Sequence, residues 1–441
     1  MAEVFARLSS RAFALGLGAV LLIAGCSLGG TSTTSGGQSS TDVTVWTAWG
    51  GQELAAYQKV LKPFQDSTGI KVHLITIRDQ AQQLKTNVSA GTSLPDIANP
   101  PNIDDVSDWA KKGIMKPLES FMGDQMGPYL ANTYPSLTNA NSATPLYIYI
   151  VNGKHYAEMV KTQVKGLFWY NKKVFTGTAP KTFDEMLAIQ PPSGAKLFCA
   201  GLESADASGW PASDQIDNII MRQSGEKVYA DWIQGKVKWT SPEIKLGFQT
   251  YLKEVSAANV FGGPNTVLST NFGKAGKPLF ANPPGCLFLE QATFITNFFT
   301  QDYPNLQAGT DYAFFPHPSI NSQYDGNVNG FYDSFTMYND TPAARKLMQY
   351  MVTKDAQQIW VDQGGTLAAN KLVTKYPDPV LQQASTVVGG AKNLLVTAGD
   401  FMPSDMQHAF WKGLLDATNN PSQLDSVLAR LDQVQAAAYA K

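Results

Sequence analysis

Residues 43–72, VTVWTAWGGQELAAYQKVLKPFQDSTGIKV, contain the start of an α/β unit. Residues 43–46 are β-branched or aromatic, a composition typical of a strand. A helix is then predicted, because five large side chains recur at helical spacing: Leu54, Tyr57, Val60, Leu61 and Phe64. Gly69 ends this helix, and residues 70–77, IKVHLITI, predict a second strand.

The same alternation continues along the chain. A helix is predicted near residues 80–90 and a short buried strand at residues 94–98, LPDIA. Strand, helix, strand, helix, strand implies parallel strands with helices on both faces of a sheet. Residues 167–170, LFWY, predict another strand, and Thr182 with Glu185 forms a capping-box pattern. Further amphipathic helices are predicted at residues 214–223, 242–256, 342–353, 355–363 and 424–440.

The first 25 residues have the features of an export signal. Arg7 and Arg11 precede an uncharged, mostly apolar stretch at residues 12–25, which is short for a membrane-spanning helix. Residues 23–26, IAGC, resemble the bacterial lipobox, in which the cysteine becomes the lipidated first residue. We therefore predict a signal peptide at 1–25 and lipidation of Cys26. The alternative is an ordinary signal peptide with an incidental cysteine.

Residues 26–42 are predicted to form a flexible tether, because residues 27–41 carry no charge and only one large apolar side chain. The roughly 400 residues that follow suggest two domains. A net charge of −2 gives no electrostatic reason to expect nucleic acid binding. No later run is long and apolar enough to span a membrane, so this part is expected to be soluble.

Several segments in order resemble the extracellular solute-binding proteins of carbohydrate ABC importers, the group that includes maltose-binding protein. They are the opening stretch quoted above, LPDIANPPNIDDVSDWAKKGIMKPLESFM, KGLFWYNKKVF with KTFDEMLA, and GDFMPSDMQHAFWKGLLDA. The resemblance implies a two-lobed α/β fold, in which each lobe is a sheet flanked by helices. It places lobe one at residues 43–159 and 321–363, and lobe two at 160–320 and 364–441. The three hinge crossings would fall near Lys161, His317 and Leu367.

Within that family the chain looks most similar to α-glucoside-type binding proteins. The segments are GLESADASGWPASDQIDNIIMRQSG, FANPPGCLFLEQATFITNFF, NGFYDSFTMYNDTPAARKLMQYM and QGGTLAANK. The resemblance implies capture of a sugar outside the membrane and its delivery to the permease subunits of an ABC importer. Cys199 and Cys286 lie in or beside these segments, and an exported protein permits their pairing. Two buried free thiols are the alternative.

The polar residues of a sugar site are expected at the carboxyl ends of the strands. Each carboxylate among them could instead be a solvated or capping residue. The candidates are Asp79, Asn99, Asn102, Asp214, Glu290, Gln291 and Asp333.

Aromatic platforms are expected beside them, because the C–H face of a sugar packs on flat rings. The resemblance matches Trp210, Phe294 and Trp411 to stacking positions, with Trp210 ranked first, although Trp210 and Trp411 could instead pack in the core. Two further tryptophans, Trp46 and Trp49, flank the first strand–helix loop, and one of them is expected to face the cleft. Tyr332 could stack or donate its hydroxyl.

The remaining composition favours a neutral ligand and a binding protein. Few arginines remain after the signal segment, whereas recognition of anions usually relies on them. No metal-ligand spacing and no nucleophile motif is present, so we expect no metal, no cofactor and no catalysis. The open alternatives are a binder of another neutral solute, a sensor adaptor, or an exported glycosidase using Asp214 and Glu290.

Overall fold

The computed structural model describes residues 41–77, 79–100, 106–133 and 149–440, without the side chain of Phe331. The strands are β1 (Asp42–Thr47), β2 (Lys71–Thr76), β3 (Ile97–Ala98), β4 (Ile150–Val151), β5 (Lys154–His155), β6 (Glu158–Val164), β7 (Leu167–Asn171), β8 (Lys196–Cys199), β9 (Cys286–Gln291), β10 (Tyr312–Pro316), β11 (Asn327–Met337), β12 (Leu367–Ala368) and β13 (Asn393–Val396).

Helices cover the faces of the sheets formed by these strands. They are α1 (Gly51–Thr68), α2 (Gln80–Ala90), α3 (Val106–Lys111), α4 (Met126–Asn132), α5 (Phe183–Leu187), α6 (Trp210–Gln223), α7 (Gly225–Ile233), α8 (Pro242–Glu254), α9 (Gly263–Ser269), α10 (Lys277–Phe280), α11 (Ile295–Asp302), α12 (Pro342–Met351), α13 (Lys354–Val361), α14 (Pro379–Gly389), α15 (Ala398–Phe401), α16 (Ser404–Asn419) and α17 (Leu424–Ala438). The predicted α/β class is confirmed.

The opening α/β unit folds as its sequence predicts. Strand β1 pairs in parallel with both β2 and β3, with Val43 opposite Val72 and Val45 opposite Ile97. Helix α1 buries the predicted apolar face, although Leu54 itself is only half-buried. Gly69 ends α1 at φ 70°, a left-handed conformation that glycine adopts without a steric penalty.

Seven strands form the larger sheet, in the order β12-β6-β11-β3-β1-β2, with β13 also paired to β11. Strand β11 is the longest element of this sheet. Its first residues, from Asn327 to Gly330, pair in parallel with β13, and its last residues, Thr336 and Met337, pair with β3. Between these ends β11 runs antiparallel to β6, and β6 also pairs with β12. Three strands therefore lie side by side where the chain passes between its two halves.

A second, four-stranded sheet has the order β10-β7-β9-β8. The hydrophobic cluster around it includes Phe168, Trp169, Phe288 and Phe314 and side chains of helices α6 to α8, and it extends to residues of the larger sheet such as Val164. Another cluster, under α1, α12 and α13, includes Trp49, Tyr57, Phe335 and Trp360. Cys199 of β8 is joined to Cys286 of β9 by a disulfide.

The later predicted elements agree with the structure within a few residues. Thr182 caps α5 and forms the predicted capping box with Glu185. The helix predicted to start at residue 214 starts at Trp210 instead, because Pro211 is accepted in the first turn of a helix. Among the described residues, no helix combines the length and the apolar character needed to cross a bilayer.

Candidate functional site

Two buried lysines mark the hinge strand β6. Lys161 lies within β6, and its Nζ is 3.4 Å from Glu53 Oε1 and 3.4 Å from Asp333 Oδ2. The same ammonium group lies 4.2 Å from the ring centroid of Trp49. The indole Nε1 of Trp49 donates a hydrogen bond to Asp333 Oδ1 at 3.2 Å. Lys161 therefore connects β6 to the loop before α1, to the first turn of α1 and to β11.

Lys165 is the residue directly after β6, and its ammonium group contacts helices α6 and α15. Its Nζ lies 2.6 Å from Asp214 Oδ1 in α6 and 4.0 Å from Asp400 Oδ2 in α15. Lys165 and Asp214 are both buried. Strand β6 and the residue directly after it therefore supply one cation to Asp333 and one to Asp214.

The carboxyl groups near Lys161 and those near Lys165 influence each other electrostatically. Burial raises the pKa of Asp333, and Lys161 partly offsets that effect. Burial likewise raises the pKa of Asp214, against the attraction of Lys165. For Asp400, burial is the largest cause and raises the pKa to about 7, with further contributions from Asp214 and Asp333. The carboxyl of Asp400 therefore changes its charge near neutral pH.

Aromatic rings lie beside this polar group. The ring centroid of Trp210 is 5.1 Å from that of Phe272 and 5.9 Å from that of Phe294. Lys165 Nζ lies 5.8 Å from the Trp210 ring. Trp210 and Phe294 are only half-buried, so their rings keep exposed area beside a buried ion pair.

Gly209 allows α6 to approach α16 closely. It has φ 103°, and a Cβ atom on it would lie 2.6 Å from the backbone oxygen of Trp411. Helix α6 therefore begins next to Trp411. The indole Nε1 of Trp411 is shielded from solvent and has no hydrogen-bond partner among the described residues. This nitrogen is a donor near Gly399, at the start of α15.

The two tryptophans of the first loop occupy different environments. Trp49 packs edge-on against Tyr57, Phe335 and Trp360 and is buried, so its ring lies within the hydrophobic cluster. Trp46 lies in β1 and is half-buried. Trp49 thus reaches the candidate site through its Nε1 rather than through an exposed ring face.

Three further candidates come from the ends of strands β2 and β3. Asp79 is exposed and caps α2, accepting a hydrogen bond from the backbone nitrogen of Gln82 at 3.2 Å. Asn99 is buried, and its Oδ1 accepts from the nitrogen of Ala48 and from Gln80 Nε2. Asn102 lies outside the described residues. Asp79 and Asn99 therefore lie after the carboxyl ends of β2 and β3, as predicted, although Asp79 caps α2 there.

Strand β9 and the middle of β11 supply the remaining candidates. Gln291 and Tyr332 are buried, and Gln291 Oε1 accepts from the nitrogen of Ala292. Glu290 is also buried, and its carboxylate belongs to a group with Glu254 and His317, whose ligand atoms lie within 4.8 Å of one another. Glu290 therefore has a chemical environment of its own.

Sequence reasoning missed Lys161, Lys165, Glu53, Asp400 and Phe272. Lysine is ordinarily a solvated residue, so neither lysine stood out. One signal was present: Lys161 interrupts a run that is otherwise suited to a buried strand, and Lys165 separates two such runs. A lysine in that position needs a buried carboxylate partner.

Two lobes, a three-stranded hinge, and aromatic rings beside buried ion pairs define a class: proteins that bind a polar solute between lobes. The chain belongs to the bacterial extracellular solute-binding protein family, whose model matches residues 59–387.

Individual relatives agree with this assignment. The chain is 30% identical over 400 residues to the alpha-glucosides-binding periplasmic protein AglE of Rhizobium meliloti, covering 87% of this chain and 84% of the relative. It is 26% identical over 392 residues to the osmoprotective compounds-binding protein GgtB of Synechocystis, covering 87% and 90%.

Solved structures share the fold. A chitin oligosaccharide binding protein superposes with a TM-score of 0.74 at 19% identity, covering 91% of this chain and 99% of that chain. A raffinose complex of RafE superposes with a TM-score of 0.68 at 17% identity, covering 90% and 99%. The two-lobed fold predicted from the sequence is therefore confirmed.

Proposed function

We propose that this protein captures a sugar, an α-glucoside or related oligosaccharide, between its lobes and delivers it to the permease subunits of an ABC importer. The observation that carries the proposal is the half-exposed ring of Trp210 beside the buried pair of Lys165 and Asp214. A sugar presents an apolar C–H face and a rim of hydroxyls, and these two surfaces match a ring and fixed polar groups.

Each half of the chain contributes part of the site. On the lobe-two side, Trp210, Phe272 and Phe294 offer ring area, while Asp214 Oδ2 has no hydrogen-bond partner among the described residues. On the lobe-one side, Asp333 is held by Trp49 and Lys161 and accepts hydroxyl donors. Polar groups held in this way lose little entropy when a ligand binds.

The substrate class is supported by what the relatives are named for. AglE is an alpha-glucosides-binding protein, and the named structural neighbours bind chitin oligosaccharide and raffinose. GgtB is named for osmoprotective compounds. We favour a sugar because aromatic area lies next to the ion pair, and an α-linked one because of the likeness to AglE. A small neutral osmolyte is the second candidate.

We infer that the two lobes move about the strands β6, β11 and β12. The lobes proposed from the sequence are residues 43–159 with 321–363, and 160–320 with 364–441. The pairing of β11 with β13 supports moving the second crossing from His317 to about Gly330. A movement of β6 during closure would shift Lys161 and Lys165, and through them it would shift Asp333 and Asp214.

The predicted lipid anchor at Cys26 and residues 26–40 of the predicted tether lie outside the described residues, whereas Asp42, predicted as tether, begins strand β1. Anchoring would hold the binding protein close to its membrane partner. Labelling expressed protein with a palmitate analogue tests this proposal. Label that is present in the native chain and absent in Cys26→Ala supports it, and equal labelling of both contradicts it.

We propose binding without catalysis. The two carboxyl groups of a glycosidase must both reach the substrate, one to transfer a proton to the leaving group and the other to act as nucleophile or to activate a water. Asp214 is engaged by Lys165, and Glu290 is deeply buried beside Glu254. Incubation with aryl α-glucosides checks this point: no release of the aryl group is expected, and turnover would contradict the proposal.

The experiment that tests the function is a melting-temperature screen of the purified protein. Its panel holds α-linked disaccharides, malto-oligosaccharides, chitin oligosaccharides, raffinose and small polyols. A ligand present at 100 times its Kd should add about 2.7 kcal/mol to the free energy of unfolding. Stabilisation by an α-linked sugar is expected. Stabilisation by polyols alone would favour the osmolyte, and no response to any saccharide would overturn the proposal.

A further inference from the structure

A buried group of Glu254, Glu290 and His317 lies in the half of the chain built around the four-stranded sheet. Each residue offers one ligand atom, and these atoms all lie within 4.8 Å of one another. The three come from different elements: the last residue of α8, strand β9, and the residue after β10. All three side chains are at least nine-tenths buried, with exposed fractions of 2%, 6% and 4%.

The polar atoms of this group have few protein partners. Among the described residues, no hydrogen bond reaches Glu254 Oε1, either carboxylate oxygen of Glu290, or His317 Nε2. An unpaired buried carboxylate is costly, because ionic hydration is lost without compensation. Glu254 also sits at the C-terminus of α8, where the helix dipole disfavours a negative charge. A cation between the carboxylates would relieve both costs.

His317 is oriented as metal-binding histidines are. Its Nδ1 lies 2.8 Å from the carbonyl oxygen of Pro318, which can only accept, so Nδ1 carries the proton. The lone pair of a neutral ring is then on Nε2. Phe168 and Phe183 pack on the ring and fix its orientation.

One positively charged side chain, Arg222, lies near this group and would repel a bound cation. Arg222 is buried and interacts electrostatically with Glu290, while its NH1 donates to the carbonyl oxygen and Oδ1 of Asn218. Metal binding releases the protons of its ligands, and the two carboxylates with one guanidinium then leave one net negative charge. A divalent ion can therefore be accommodated without leaving the group strongly positive.

We propose that Glu254, Glu290 and His317 form a site for a divalent transition-metal ion, and that Zn²⁺ fits it best. Ca²⁺ takes six to eight oxygen ligands and Mg²⁺ keeps an octahedral shell, whereas three protein ligands including an imidazole suit Zn²⁺ with its fourth position left to a small ligand such as water. The site would stabilise β9 near Gln291, three residues before Phe294. This inference does not depend on which solute the cleft binds.

The test measures zinc in the full-length chain, purified in mild detergent, stripped with a chelator and reconstituted with ZnCl₂. One tightly held Zn²⁺ per chain is expected, with a rise in melting temperature of roughly 3 °C or more. Glu254→Gln and His317→Gln should each weaken Zn²⁺ binding at least about 100-fold. His73→Gln, on the exposed face of β2, is the control and should retain the ion.

Absence of bound zinc after reconstitution, or retention of wild-type zinc affinity by both ligand variants, would overturn the proposal. If neither variant folds, Co²⁺ added to the stripped wild-type chain decides the matter. A strong visible absorption of the tetrahedral type supports the site. An unchanged spectrum contradicts it, and then the group holds protons on its carboxyls instead.

Discussion

Lys165 Nζ lies 2.6 Å from Asp214 Oδ1, and both side chains are buried beside the Trp210 ring. An ion pair removed from water gains little net stability, but removing one partner leaves an uncompensated buried charge. The pair therefore fixes the position of α6 relative to β6. Because α6 begins at Trp210, the same pair also positions the proposed sugar platform.

Lys165→Met should lower the free energy of unfolding by about 3 kcal/mol, because Asp214 and Asp400 would lose their shared cation. Chemical denaturation at neutral pH measures the change. The control is Lys62→Met, which removes an exposed pair with Asp66 and should cost less than about 1 kcal/mol. Equal effects of the two substitutions would mean that the buried pair has no special role.

Trp210→Ala should weaken binding of the sugar identified by the melting screen by about 1–3 kcal/mol, since the ring would no longer cover its C–H face. Titration calorimetry measures the affinity, and circular dichroism should show an intact fold. Phe261→Ala removes an aromatic ring that is 37% exposed and that, among the described residues, makes no ring contact with Trp210 or Phe294, so its affinity should match the wild type. Unchanged affinity in Trp210→Ala would exclude this ring from the site.

Asp400 should make stability depend on pH. The native carboxyl has a pKa of about 7, against 3.8 for the ordinary group, so between about pH 4 and pH 7 the native state holds a proton that the unfolded state has lost. Its contribution to stability is therefore present below pH 4 and is lost as pH rises towards 7. Asp400→Asn removes this dependence, so its stability relative to wild type should increase over that range.

Denaturation midpoints of Asp400→Asn and wild type, compared from pH 4 to pH 7.5, check this expectation. The control is Asp405→Asn, which changes an exposed carboxyl in the first turn of α16. A parallel pH dependence for wild type and Asp400→Asn would show that the Asp400 carboxyl is already ionised in this range.

The pair Cys199 and Cys286 should resist thiol reagents. In denatured, unreduced protein, Cys26 is the only other cysteine, so an unprocessed chain should react at one thiol and a lipidated chain at none. Cys286→Ser should expose the Cys199 thiol and lower the free energy of unfolding by about 2–5 kcal/mol. Reaction at both Cys199 and Cys286 in unreduced wild type would contradict the disulfide.

Local signals predicted the fold well. Gly69, Thr182 and Glu185 end or cap their helices as expected, because capping depends on groups only a few residues apart. The parallel pairing of β1 with β2 and β3 also followed from the alternation of strands and helices. The path of β11 did not follow, because its three partners come from distant parts of the chain.

The site was harder to predict, because its chemistry depends on burial and on long-range partners. The ring of Trp49 and the carboxylate of Asp333 were both selected from the sequence, but their hydrogen bond spans 284 positions. Lys161 was missed as a site residue, since a lysine in sequence gives no sign of the carboxylates that hold it. The same holds for Glu254, Glu290 and His317, which match no metal-ligand spacing.

Small-angle X-ray scattering, with and without the sugar that gives the largest melting shift, tests the central claim most directly. Closure of two lobes about β6, β11 and β12 predicts a smaller radius of gyration at saturating sugar, and a smaller change for Trp210→Ala at the same concentration. A radius that stays the same at saturating concentrations of every saccharide in the screen would contradict the account.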